Sequence, residues 1–149
     1  MPIKSFRGKI ADSTTDTINL HTNNGSTGYR IVKFEVMPVD PTADEAENVV
    51  KIFTIPQTTE SVTIDFSDNT LLAASFIEGH GSTIYLTRTT TIFDNMTFNQ
   101  DIYVSNKSPQ AKAVNYYIEL EAMPLALDEN TAATLKDIKN IEGNNLILD

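Results

Sequence analysis

The sequence predicts an all-β domain, an antiparallel β-sandwich of jelly-roll type with one short C-terminal helix. Two observations predict it. Stretches alternating apolar and polar residues run almost end to end along the chain. Gly, Asn, Asp, Pro and Ser turn signals break them at roughly 8–12-residue spacing, the pattern of a sandwich or barrel.

Ile3 to Ile10 reads as a first strand or an extended arm. Thr15 to Leu20 alternates as a strand, and Asn24-Gly25 supplies the backbone for a tight turn after it. Tyr29 to Met37 follows, with Val32, Phe34 and Val36 on one face and Lys33 and Glu35 on the other. Pro38 and Pro41 end it. Residues 40–48 form an acidic loop. Val49 to Ile55 is the next strand, stopped by Pro56. Val62-Thr63-Ile64-Asp65-Phe66 alternates cleanly and is expected as a strand, with Ser67-Asp68-Asn69 as its turn. Leu71 to Ile77 is apolar enough to be buried. Gly79 to Ser82 reads as a hairpin loop into a β-branched strand, Thr83 to Phe93. Phe98 to Val104 is a strand, Ser105 to Gln110 a polar loop. In the last strand, Ala113 to Met123, Val114, Tyr116, Ile118, Leu120 and Ala122 face inward, Glu119 and Glu121 outward. Tyr116 and Tyr117 are adjacent and take opposite faces.

After Pro124 the period changes. Asp128 or Asn130 can cap a helix over 128–142, with Leu135, Ile138 and Ile141 on one side and Gly143 as its stop. A tail, 143–149, ends with Leu146, Ile147 and Leu148.

At 149 residues, the chain fits one domain over 1–149. The hydrophobic fraction of 40% supports a core, and no run approaches the ~20 apolar residues of a spanning helix. The basic start has no apolar block behind it, so it does not read as a secretory signal. The absence of cysteine removes disulfides and thiolate chemistry. A net charge of −9 argues against general affinity for nucleic acid. The first nine residues run against that balance, because Lys4, Arg7 and Lys9 stand there without an acid. As a basic arm they could reach nucleic acid or an acidic neighbour; otherwise they lie on a solvated terminal strand.

No motif carries catalysis. His80 and Ser82 share a glycine-flanked loop, but no Gly-x-Ser-x-Gly elbow fixes a triad, so the chain is expected not to be an enzyme. Two histidines and no cysteine leave little for zinc. Asp40, Asp44, Glu45 and Glu47 could meet calcium, but their spacing is not that of a dedicated loop, and a solvated acidic loop explains them. No cofactor or metal is expected. Sugar binding would rest on Tyr29, Tyr85, Tyr103, Tyr116 and Tyr117, since the chain has no tryptophan. Thr87-Arg88-Thr89-Thr90-Thr91 is a threonine ladder; without a repeat it reads as strand surface rather than an ice-binding face.

The segments Asp16-Thr17-Ile18-Asn19-Leu20, Gly28-Tyr29-Arg30-Ile31-Val32-Lys33-Phe34 and Val114-Asn115-Tyr116-Tyr117-Ile118-Glu119-Leu120-Glu121 resemble patterns in small β-rich virion structural, capsid-associated proteins of marine bacterial viruses. The likeness covers the second strand, the hairpin expected after it, and the last strand. It implies a viral structural role: a coat, minor capsid or decoration subunit that self-assembles or attaches to a capsid. It implies location in the virion after synthesis in the host cytoplasm, with its own copies and other virion proteins as partners. Lys4, Arg7, Lys9, Leu146, Ile147 and Leu148 are the candidate assembly contacts, and nucleic acid would be met only through the basic end. The alternative is a host-recognition or carbohydrate-binding module of a virion.

Overall fold

Val114 to Ala122, the most regular alternation in the chain, becomes the middle strand of a sheet. In the computed structural model, which describes residues 2–42, 47–78 and 88–125, eight strands form: β1 (Ile3–Ile10), β2 (Thr14–Ile18), β3 (Thr27–Pro38), β4 (Asn48–Phe53), β5 (Leu71–Glu78), β6 (Arg88–Phe93), β7 (Ile102–Lys107) and β8 (Val114–Pro124). They make two antiparallel sheets, ordered β1-β8-β3 and β2-β7-β4-β5-β6. The described residues contain no helix. The helix expected over 128–142 and the tail 143–149 lie outside them.

Both sheets contribute to one core. Ile10, Phe34, Val114, Ile118 and Leu120 come from the smaller sheet, and Val50, Ile52, Ile77, Ile102 and Val104 from the larger. Each fully buried Ile or Leu stabilises the fold by roughly 1.5–3 kcal/mol of transfer free energy. In β8 the expected alternation holds: Val114, Tyr116, Ile118, Leu120 and Ala122 are buried. Gly8 of β1 lies over the Tyr116 ring, where an added Cβ would come within 3.0–3.1 Å of the phenol.

Five expectations need correction. Val32 does not share the core face of Phe34. A bulge between Ile31 and Lys33 makes Val32 an extra residue. Tyr29 and Ile31 are buried before it, and Phe34 takes the inward position after it.

Thr15–Leu20 and Tyr29–Met37 do not form a hairpin. β2 and β3 belong to different sheets, and the turn carries the chain across the core. Its Asx bond, from the Ser26 amide to Asn24 Oδ1, is 3.1 Å. Gly25 alone takes the left-handed conformation there, at φ 65°.

Val62–Phe66 is not a strand. Its alternation lacks a buried face, since Val62 is 47% and Phe66 68% exposed. Local chemistry wins instead. Asp65 accepts the Ser67 amide (2.9 Å) and hydroxyl (2.6 Å), and Asp68 accepts those of Thr70 (2.8 and 2.6 Å). Lys51 Nζ, on the outer face of β4, donates to the Thr63 carbonyl at 2.7 Å, and Thr15 Oγ1 of β2 donates to Glu60 at 2.7 Å. The 54–70 segment is thereby tied to the outer face of the five-stranded sheet.

Phe98 is not in β7. It makes a lone antiparallel bridge to Tyr29, with amide-to-carbonyl bonds of 2.7 and 2.9 Å, beside β3. Ser105 to Lys107, expected as loop, extend β7 because β4 and β2 pair with them on either side.

At one end of the molecule a buried amide network joins the sheets. Asn106 Nδ2, on β7, donates to the carbonyls of Ile10 and Lys112, both at 3.2 Å. Asn48 Nδ2, on β4, donates to Asn106 Oδ1 at 2.9 Å and to the Lys112 carbonyl at 3.0 Å. Asn106→Leu keeps the size of the side chain but leaves these buried carbonyls and the Asn48 amide short of partners. Urea denaturation should show a loss of about 2–4 kcal/mol. A loss under about 0.5 kcal/mol, no more than an ordinary surface change, would show that the network does not hold the sheets.

Candidate functional site

The two sheets treat their outer faces differently. The five-stranded sheet lies under the 54–70 segment. The three-stranded sheet leaves its outer face open among the described residues. Register sets what stands on that face. Ser5, Glu119 and Lys33 form one row across β1, β8 and β3; Arg7, Tyr117 and Glu35 the next; Lys9, Asn115 and Met37 the third. Ile3, Glu121 and Arg30 make a fourth row on the near side of the bulge. An open groove of about 710 Å³ lies over the second and third rows, lined by Arg7, Lys9, Glu35, Asn115 and Tyr117 with Lys33 at its side.

The acids on β8 are engaged. The Tyr117 hydroxyl donates to Glu119 Oε2 at 2.7 Å, and Arg30 Nε donates to Glu121 Oε1 at 2.8 Å. The bond to Glu119 raises the Tyr117 phenol above its ordinary pKa, aided by burial and the Glu119 charge and opposed by Ser5 and Arg7. Lys33 Nζ stands 5.8 Å from the Tyr117 ring centroid. Arg7, Lys9 and Lys33 have no carboxylate partner among the described residues. The face is thus a mixed-charge surface with unneutralised cations on a chain of net charge −9.

Of the sequence candidates, the structure brings Arg7 and Lys9 together here and separates Lys4. Lys4 stands opposite Leu120 on the core side, its Nζ 5.6 Å from the Tyr29 ring. The basic segment is a paired strand, not a free arm. Leu146, Ile147 and Leu148 lie outside the described residues, as do His80, Ser82, Tyr85, Thr87, Asp44 and Glu45. Asp40 accepts the Thr42 amide and hydroxyl (3.0 and 2.6 Å), which hold its carboxyl below the usual range. Glu47 Oε1 accepts Gln110 Nε2 at 2.6 Å. No group of three or more His, Asp or Glu converges as a metal site among the described residues. Thr89, Thr90 and Thr91 are exposed on β6, and Thr91 shares a 2.7 Å bond with Ser75. Tyr29 and Tyr116 belong to the core. Burial, then the Asp16 carboxylate 3.3 Å from its hydroxyl, push the Tyr116 phenol up to about 12.

Local alternation places Lys33, Glu35, Glu119 and Glu121 outward but does not show that Arg7 shares a row with Tyr117 and Glu35. The signal for that is register between strands more than 80 residues apart, which local alternation does not contain.

A second polar cluster pins the entry to β7. Asp101 Oδ1 accepts the amides of Leu20 (2.8 Å) and His21 (3.0 Å), and His21 Nδ1 lies 2.7 Å away. Burial pushes the Asp101 carboxyl up, but the bonds from His21 and Leu20 outweigh it and hold the carboxyl below its ordinary value of 3.8. A carboxyl lowered on folding stabilises the fold above its unfolded pKa, and that contribution is lost as pH falls through the folded value. Asp101→Asn should therefore cost about 1–2 kcal/mol near pH 7, the scale of bonds to a charged group. The difference from the natural protein should shrink as pH falls below 3.8. Denaturation midpoints of both proteins across this range check it; a gap that widens in acid would exclude the account.

Comparison with protein-family models, with curated proteins and with solved structures finds no match for this chain.

Proposed function

We propose that this chain is a virion structural protein of a bacterial virus, a coat, minor capsid or decoration subunit that self-assembles or attaches to a capsid. The fold part of the reading rests on the nested order of strand pairing, and the virion role on the sequence resemblance of β2, β3 and β8. β1 pairs with β8, β2 with β7 and β4 with β5. The segment after β6 reaches β3 through the Tyr29–Phe98 bridge. Wrapping one long antiparallel ribbon round a core produces that nesting, which supports a jelly roll among the β-sandwiches. β6 departs from the nest by extending β5 rather than β3.

Jelly rolls serve viral capsids and lectins alike, so the fold does not choose between them. The sequence resemblance carried by β2, β3 and β8 favours the virion. The runner-up, a host-recognition or carbohydrate-binding module, is favoured by the open groove. Of its two tyrosines, Tyr116 belongs to the core, and Tyr117 has Lys33 over the ring and its hydroxyl tied to Glu119. Sugar stacking would have to displace the cation. On the leading reading the protein catalyses nothing, takes no cofactor, and resides in the virion after synthesis in the host cytoplasm. Its partners are its own copies and other virion proteins. Lys4, Arg7 and Lys9 would provide any contact with nucleic acid, and Leu146, Ile147 and Leu148 a further subunit contact.

Sedimentation velocity over a concentration series, with negative-stain imaging, tests the assignment. The expected result is concentration-dependent oligomers that weaken when the chain is ended at residue 142. A monomer at every concentration that binds immobilised glycans would replace it with the recognition module.

A further inference from the structure

β1 is the edge of the three-stranded sheet. The Ala122 amide donates to the Pro2 carbonyl at 2.9 Å. That bond sets the phase of the ladder: even-numbered residues of β1 bond to β8. Ile3, Ser5, Arg7 and Lys9 therefore present their N–H and C=O groups at the open edge, with all four side chains exposed on the outer face. No described strand pairs with that edge. An open edge of this kind is a template for another strand.

The charges on the face are segregated in a way that a two-fold axis completes. Arg7 and Lys9 occupy one half of β1. Glu119 and Glu121 of β8 stand opposite Ser5 and Ile3, in the other half. We propose that β1 pairs antiparallel with β1 of a second copy, about a two-fold axis at Phe6, joining two three-stranded sheets into one. In this register Ser5 faces Arg7 of the second copy, and Ile3 faces its Lys9. Each arginine then points across a small serine toward Glu119, two strands away at about 10 Å between backbones, within the combined reach of the two side chains. Each lysine points across Ile3 toward Glu121, its alkyl stem covering an isoleucine that is 51% exposed. The interface is isologous, as a two-fold contact requires.

The bases also select the register. Sliding one way places Arg7 opposite Arg7. Sliding the other way carries Lys9 past the end of the partner strand and shortens the pairing. Basic side chains on an edge generally discourage pairing; here they discourage the first slide, and the loss of paired length discourages the second. The inference rests on the self-assembly reading and supplies its surface.

The test uses the full chain in four arms, each variant first checked for native circular dichroism. Arg7→Glu should weaken dimerisation roughly tenfold at low salt, since each dimer loses two ion pairs and gains two repulsions. The charge swap Arg7→Glu with Glu119→Arg should restore it, while Lys112→Glu, away from the edge, should leave it unchanged. The chain has no cysteine, so oxidising a mixture of Ser5→Cys and Arg7→Cys proteins should give the mixed disulfide in preference to either homodimer. Failure of the swap to restore dimerisation, or the absence of the mixed disulfide, overturns the edge pairing. If oligomers persist unchanged through Arg7→Glu and without that disulfide, assembly stands and uses another surface. A monomer at every concentration removes self-assembly together with the edge.

Discussion

Asn106 is the residue on which the two sheets most depend. The chain passes between sheets at this end through the β1–β2 corner and the 108–113 turn. Each passage ends a ladder, and a buried carbonyl short of donors there costs free energy on the scale of a hydrogen bond. One amide serves two such carbonyls, that of Ile10 at the end of the β1–β8 ladder and that of Lys112 in the turn. Asn48 supplies a second donor to Lys112 and holds Asn106 in orientation. An apolar side chain could fill the volume but could not pair the carbonyls. With Ile10 held against β7, β1 meets β8 in a fixed register, from Ile10 opposite Val114 to Ile3 opposite Glu121.

That register turns a list of outward residues into a surface. Arg7, Tyr117 and Glu35 come from three distant parts of the chain, and only the order β1-β8-β3 aligns them. The contrast with the larger sheet is physical. There, a nearly buried Lys51 needs an acceptor, and the Thr63 carbonyl provides one by bringing the 54–70 segment over the face. On the smaller sheet Arg7, Lys9 and Lys33 are exposed, and an exposed cation does not need a protein acceptor as Lys51 does. Exposed charge of this sort adds little to stability and is available for recognition.

Elements defined by their own pattern were legible in the sequence. β8 alternates without a break, and its buried positions are those expected. The C-terminal half of β3 also read correctly at Phe34, but its bulge did not, because one extra residue leaves the composition unchanged and reverses the faces before it. Val62–Phe66 misled for a related reason. Alternation signals a strand only when a partner and a core face exist, and Asx turns at Asp65 and Asp68 offered the backbone a local alternative. Phe98 looked like the start of β7 because it is apolar; its pairing with Tyr29 is non-local. Arg7 and Lys9 were noticed as bases, but their relation to Glu119 and Glu121 exists only once β1 lies beside β8.

The same reasoning explains why an edge can be both guarded and used. A free strand edge of seven or eight residues is a hazard if any strand can add to it. Charge is a common deterrent: a pair of facing bases costs up to about 1 kcal/mol, enough to bias one alignment over another. β1 carries this deterrent unevenly: Ser5 and Ile3 leave half of the strand without it. On the outer face, the half without bases lies beside the acids of β8, and the half with them beside Tyr117 and Asn115. A strand with bases throughout would repel its own copy in every alignment. A strand with none would accept many. For the pairing proposed, the observed division favours the alignment that sets Ser5 against Arg7 over the one that sets Arg7 against Arg7, because like charges directly opposite one another are destabilising.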